Sequence, residues 1–298
     1  MERAVGAGYN TEMTNGCWAA SPLHDVNHLS QTLLTLENSA PVALIATFDV
    51  ATCNINDAAE AVLATSALKD FDYIPVVSAE SIVGVVSRNE VENPKGPVRE
   101  TMQSLHESIL ISADASLLSF VAEVDTSPVR LVLEGSKITG IVTISDIQKL
   151  ATRPLLFMLI TSVELLLAEW IRQKLPDETV WLGKLSEGRR SKIKAKWEKL
   201  QENNLAINHI TTTDFCDKRD IFLRFGTFAE GKKSETKNQL KAIEQLRDSI
   251  AHAGDYALTP DNAKKVAETV RGAKEIITTL QAELEFSPAV QSFNLDSK

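Results

Sequence analysis

Two stretches of this chain repeat one another. Tyr73 to Val91 reads YIPVVSAESIVGVVSRNEV, and Val129 to Ile147 reads VRLVLEGSKITGIVTISDI. At a constant offset of 56 residues, Pro75-Val76-Val77 falls on Leu131-Val132-Leu133, Gly84-Val85-Val86 on Gly140-Ile141-Val142, and Ser87-x-x-Glu90 on Thr143-x-x-Asp146. Each copy predicts a β-rich run, a turn around Ala79 or Gly135, a second β-rich run, and a hydroxyl residue opening a helix. Upstream of each lies a helical stretch with an acid near its start, Asp57-Ala-Ala-Glu-Ala-Val-Leu and Asp114-Ala-Ser-Leu-Leu-Ser-Phe. The chain therefore carries two β-α-β-β-α units that pack as a pseudo-twofold pair.

A chain of 298 residues has room for a second domain, and its charge is unevenly placed. Residues 1–150 carry 8 Lys+Arg and 19 Asp+Glu, whereas residues 151–298 carry 23 and 21. The acidic first half makes a poor general surface for nucleic acid, which needs clustered cations. In the second half, Lys184 to Lys199 holds seven cations against two acids, and reads either as a solvated helix face or as a patch that tracks phosphates. The three cysteines, Cys17, Cys53 and Cys216, are too few and too widely spaced for a disulfide framework or a metal knuckle, which points to a reducing, cytoplasmic setting. The first residues lack the apolar core of a secretory signal. The longest apolar run, Leu155 to Trp170, is interrupted by Thr161, Ser162 and Glu164 and reads as a buried helix rather than a membrane span.

After Ile147 the 3.6-residue period takes over. Ala151 to Pro154 reads as a linker ending in a helix-start proline, and helices are expected over Leu155–Lys174, Ser186–Asn204, Thr212–Phe225, Glu235–His252 and Pro260–Glu285. In the fourth, Leu240, Ile243, Leu246 and Ile250 form the stripe that faces the core. Arg247 lies at the edge of that stripe, while Asp248 and His252, four residues apart, share its flank. Gly254 is a natural C′ residue. Histidine can change its protonation near neutral pH and arginine clamps a phosphate with a fork of donors, so the two could serve a reaction at a phosphate. Arg247 and His252 project about 140° apart on one straight helix, so convergence within a single chain is awkward and a twofold interface would relieve it. Asp248 could orient His252 or hold Arg247, and Glu164 could support the same site. The competing reading is a capped, salt-bridged helix end at a packing interface. The remaining histidines, His24, His28, His106 and His209, show no ligand spacing with Cys or acid beyond His24-x3-His28, so no metal site is expected. Neither a phosphate-binding P-loop, nor a nucleophile elbow, nor a dinucleotide fingerprint occurs.

Over residues 26–152 the Pro-Val-Val, Gly-Val-Val and Gly-Ile-Val strands and the closing Ser/Thr-x-x-Asp/Glu resemble a tandem CBS-domain pair, or Bateman module. The resemblance implies a regulatory site for an adenine nucleotide (ATP, ADP or AMP), the hydroxyl on phosphate and the acid on ribose. Those roles would fall to Thr143 with Asp146, and to Ser87 with Glu90, where Glu departs from the family's Asp. Thr143 and Asp146 read equally well as a helix cap.

Over residues 153–286 the Arg-x4-His spacing, the polar residue after the arginine and the Ala-His-Ala-Gly helix end resemble the HEPN superfamily. That resemblance implies a metal-independent endoribonuclease acting as a homodimer or higher homo-oligomer, with Arg247, Asp248 and His252 at the site and no catalytic cofactor.

Together these give an α+β chain of two domains: an N-terminal extension (1–25), a nucleotide-sensing CBS pair of β-α-β-β-α repeats (26–152), a C-terminal all-α HEPN-like bundle (153–286) and a flexible tail (287–298). The implied partners are RNA, an adenine nucleotide and a second copy, without a membrane. By analogy, a nucleotide sensor fused to a ribonuclease suits a stress or antiviral defence effector. The alternative is a noncatalytic sensor whose helical half dimerises or binds RNA or a protein.

Overall fold

The computed structural model describes residues 26–89, 96–202, 208–252 and 254–285. The expected N-terminal extension, with His24, the expected tail, and Glu90 lie outside the described residues.

Helix α1 (Val26–Asn38) precedes the repeat. The first copy holds β1 (Thr47–Phe48), β2 (Cys53–Asn54), α2 (Ala59–Ala64), β3 (Tyr73–Ser78) and β4 (Ser81–Ser87). The second holds β5 (Gln103–Ser104), β6 (Leu110–Ser112), α3 (Leu117–Glu123), β7 (Val129–Glu134) and β8 (Lys137–Thr143). They build two four-stranded sheets, ordered β2-β3-β4-β5 and β1-β8-β7-β6. The leading strand of each copy has therefore crossed into the sheet of the other: β1 pairs antiparallel with β8, and β5 with β4.

This exchange explains the repeated glycines. A Cβ on Gly84 would stand 2.3 Å from the Gln103 carbonyl oxygen, and one on Gly140 would stand 2.7 Å from that of Thr47. The crossed strand comes so close that a side chain has no room. Each hairpin also bulges at the same point, between Val76 and Val77 and between Val132 and Leu133. The two sheets meet over Val85, Ile109, Val129, Leu131 and Ile141.

The other described elements are mainly helical: α4 (Thr152–Lys174), α5 (Glu178–Leu182), α6 (Glu187–Gln201), α7 (Phe215–Phe225), α8 (Lys232–Ala251) and α9 (Pro260–Glu285). The fold class is thus α+β, with strands in the first half and helices in the second. α4 begins at Thr152, so Pro154 is its third residue, still in the turn where a missing N–H is harmless. α7 starts at Phe215 rather than Thr212 because Asp214 and Asp217 form a capping box there, leaving His209–Thr212 as a 3₁₀ turn. Among the described residues α4 is the one helix long and apolar enough to cross a membrane, and 61% of its most apolar window is buried inside the protein. Its Leu156, Ile160, Val163, Leu166 and Leu167 pack among α1, α7, α8 and α9.

The core does not stop at the repeat. Leu117, Phe120, Val121, Val132 and Val142 of the second copy belong to the same buried cluster as α4, α8 and α9. Polar ties cross at the same place: Arg271 of α9 donates to both oxygens of Asp125 at 2.9 and 2.8 Å, and Lys274 reaches Glu37 at 2.7 Å.

The basic run of α6 is partly neutralised by the start of α7. Arg189 Nε donates to Asp217 Oδ1 at 2.6 Å, and its Nη2 reaches Asp214 at 2.8 Å. Lys192 and Lys196 also bond Asp214, at 3.0 and 2.6 Å. Burial pushes the Asp214 carboxyl up, but hydrogen bonds from Lys196, Arg189 and Lys192 outweigh it and hold the group well below the usual carboxylate range. Three of the seven cations are thus held in one carboxylate network and a fourth, Lys194, pairs with Glu198 at 3.6 Å, which weakens the case for a phosphate-tracking patch along α6.

Candidate functional site

A cleft of about 350 Å³ lies where the two copies meet, lined by Asp49, Val50 and Phe71 of the first and by Ile141, Thr143 and Asp146 of the second. Thr143 ends β8 and caps the 3₁₀ helix Ile144–Gln148 through a capping box with Asp146. Thr143 N and Oγ1 both donate to Asp146 Oδ2, at 2.6 and 2.9 Å, and Lys149 Nζ reaches Asp146 Oδ1 at 2.8 Å. Both sequence readings therefore meet in one place: the pair is a helix cap, and it also faces a cleft. Ser87 closes β4, opposite Tyr73, and is not part of this lining, while its partner Glu90 is outside the described residues.

The cleft has room for a nucleoside, and Phe71, 46% exposed, offers an aromatic face. Its charge is one-sided, for Asp49, Asp70, Asp72 and Asp146 line it and no Lys or Arg does so among the described residues, although Lys149 pairs with Asp146 from just outside the lining. Asp49 holds a left-handed backbone with φ of 54°, a strained state for a residue with a side chain.

The second site is the end of α8. His252 is the C-cap, exposed, with φ of −94° and ψ of 16°. Gly254 donates its N–H to the Ser249 carbonyl at 2.8 Å, the long-range bond of a helix-ending motif. That bond makes Gly254 the C″ residue, one position later than its expected C′ place, which falls on residue 253, outside the described residues.

Arg247 is half-exposed and looks inward to α4, its Nε 3.8 Å from Glu164 Oε2. The other Glu164 oxygen receives Lys218 Nζ at 3.0 Å, and that buried ammonium also donates to the Thr213 carbonyl at 2.8 Å. Glu164 thus bridges a buried lysine and Arg247. Asp248 is exposed; its carbonyl accepts the His252 N–H at 3.1 Å, but among the described residues its carboxylate forms no ion pair with Arg247 and no hydrogen bond with the His252 ring. The structure brings Glu164 to Arg247 and leaves Asp248 beside His252 on the open face. Lys218 escaped the sequence reading because an isolated Lys in a helix normally marks a solvent face. The signal that could have found it is Glu164, a lone acid on an apolar stripe that demands a buried cation.

The loop beyond α8 is tied back to the repeat. Arg153 Nη2 donates to the Gly254 carbonyl at 2.9 Å, and its guanidinium lies 5.0 Å from the centre of the Tyr256 ring. Tyr256 donates its hydroxyl to the Ile147 carbonyl at 2.6 Å, and burial pushes that phenol up to about 12. Ile147 belongs to the same 3₁₀ helix as Asp146, so the loop after α8 is anchored on the short element that carries Asp146. Cys53, raised to about 11 chiefly by burial, is held as an inert thiol. Among the described residues no group of three or more His, Cys, Asp and Glu is placed to hold a metal ion.

No protein-family model matches the chain, and no curated protein matches it. Solved structures similar to part of it are CBS domains. The CBS domain of the bacterial CNNM/CorC family Mg2+ transporter, in complex with ATP, is 18% identical over 41% of this chain and 91% of that one, with a TM-score of 0.33. The CBS domain of a CBS-domain-containing membrane protein from Sphaerobacter thermophilus is 17% identical over 42% and 95%, with a TM-score of 0.32. A hemolysin-like protein containing a CBS domain, from Oenococcus oeni PSU, is 14% identical over 39% and 93%, with a TM-score of 0.32.

Proposed function

We propose that this chain is a cytoplasmic, metal-independent endoribonuclease of the HEPN type, regulated by an adenine nucleotide bound to a CBS pair. The observation that carries the reading is the end of α8, where Arg247 and His252 stand accessible at the expected spacing and Arg247 is backed by the Glu164–Lys218 pair. Charge buried behind the half-exposed Arg247 costs stability, and a role in holding that arginine in place accounts for its being there. The direct test incubates the full chain with single-stranded RNA in EDTA, with and without nucleotide. Cleavage supports the reading, and intact RNA in every condition leaves the helical half as a scaffold.

A homodimer is part of this proposal, since Arg247 and His252 diverge on one helix. Leu150 and Leu258 are exposed by 79% and 70%, beside the loop that follows His252. A turn beyond Arg153 on α4, Phe157 is also exposed. Apolar side chains this open around a polar site suit a twofold partner. Light scattering at micromolar concentration should give a dimer, and Leu258→Asp should yield monomers that have also lost cleavage. A wild-type monomer, or a Leu258→Asp dimer with full activity, removes this part of the proposal.

For the nucleotide, the carboxylates of the cleft, Asp49, Asp70 and Asp72 beside the Lys149-paired Asp146, matter more than its shape. A bound ligand raises stability by RT ln(1 + [L]/Kd), about 2.7 kcal/mol at a hundredfold excess over Kd. In EDTA the thermal shift should fall from AMP through ADP to ATP, because each added phosphate faces more repulsion. Asp146→Ala should abolish the shift itself, whatever it does to the unliganded melting point. Equal shifts for all three nucleotides, or none for any, count against this site.

A further inference from the structure

A second cleft, of about 380 Å³, opens where the α5–α6 connection, the end of α7 and the start of α8 meet. Lys184, Arg224, Lys233 and Lys237 line it, with Ile221 and Phe225 among its apolar side chains. The single acid of the lining, Asp220, is paired with Arg219 at 2.9 Å. Among the described residues none of the four cations forms an ion pair, in contrast to Arg189, Lys192 and Lys196 of α6.

One of these lysines stands where a helix resists it. Lys233 occupies the first turn of α8, at the positive end of its dipole, where Glu235 pairs with Lys232 at 2.8 Å; Lys237 lies one turn on, and the N-cap Gly231 offers no side chain to the open N–H groups. Stability alone would place acids there. An anion in the cleft reverses the balance, since the dipole, the open N–H groups and four cations then all act on it favourably.

The cleft also points along α8. Lys233, Lys237 and Lys241 recur at four-residue spacing, and at about 100° per residue His252 lies on the same side. From Lys237 to His252 the helix rises about 22 Å, a span suited to several nucleotides of a single strand.

We propose that this cleft holds the backbone of single-stranded RNA on its way to Arg247 and His252. The choice of RNA rests on the ribonuclease reading, whereas the cleft's demand for an anion does not. Phe225 gives a base an apolar surface beside the phosphate-binding cations.

The experiment titrates a labelled polyuridine of about 20 nucleotides with the full-length His252→Ala chain, following anisotropy between about 50 and 300 mM salt. Lys233→Gln with Lys237→Gln should weaken binding about tenfold and flatten the plot of log K against log salt by about 1.4, two single-strand contacts at about 0.7 each. Lys137→Gln, on the β8 hairpin, should change neither quantity. Unchanged affinity and slope in a normally melting double variant overturn the proposal, as does an equal loss in Lys137→Gln. Binding that depends on these lysines, together with no cleavage by the wild-type chain, overturns the ribonuclease reading and leaves the cleft standing.

Discussion

Replacing His252 by alanine should slow cleavage of single-stranded RNA by about 10² to 10⁴-fold and leave the melting temperature unchanged. The side chain lies beyond the last turn of α8, exposed, so its removal leaves no cavity. In the proposed reaction the 2′-oxygen attacks phosphorus, the bond to the 5′-oxygen breaks, one group accepts the 2′-proton and another protonates the leaving oxygen. Products end in 2′,3′-cyclic phosphate and 5′-hydroxyl, and a 2′-deoxy residue at the scissile position resists. Arg247→Ala should lose a comparable factor by removing positive charge from the phosphate, and here too folding survives, because Glu164 keeps Lys218. Cleavage should persist in EDTA, since side chains carry all these roles. If both alanine variants cut RNA at the wild-type rate, the assignment of the site is wrong.

The largest stability loss is expected at Asp217. This carboxylate is 2% exposed, pairs with Arg189 through two bonds and closes the capping box of α7. Asp217→Ala strips a buried pair of one partner, a change that costs about 3 to 5 kcal/mol, here at the lower end because Arg189 keeps Asp214. At about 2 to 4 °C per kcal/mol, melting should fall by about 6 °C or more. A loss no larger than that of an exposed Asp248→Ala control would show the network to be ornamental. The same network sets the response to acid. Asp214 is held low against burial by Lys196, Arg189 and Lys192, and Asp125 is held low first by its hydrogen bonds from Arg271. Groups depressed in the folded state contribute their stability above the unfolded pKa and lose it as pH falls through the folded one. Urea midpoints should therefore hold near neutrality and drop below about pH 4, less steeply for Asp214→Asn.

The repeat was open to reading because local spacing and global fold agree on it: the offset of 56 residues predicts the hairpins, their turns and the places of Gly84 and Gly140. α9 runs over the expected Pro260–Glu285, marked by its proline and an unbroken apolar period. The strand exchange was hidden, because β1 and β5 are two residues long and two residues carry no period. α1 was missed although Leu29, Leu33 and Leu36 follow helical spacing. The fate of the basic run could not be read either, since Asp214 and Asp217 meet Arg189 only through tertiary packing. Within the candidate site, Arg247 and His252 followed from spacing, while the Glu164–Lys218 support depended on which helices α4 touches.

The crossing of β1 and β5 has the topology of a swap closed within one molecule. Each copy of the repeat is completed by a strand donated from the other, through pairings of two residues each. Two molecules that open together can satisfy the same pairings between chains, with no new interface chemistry. Such interlocked pairs would separate only by partial unfolding, while dimers joined through Leu150 and Leu258 would separate on dilution. Preparation history, as well as concentration, would then decide which assembly a sample contains.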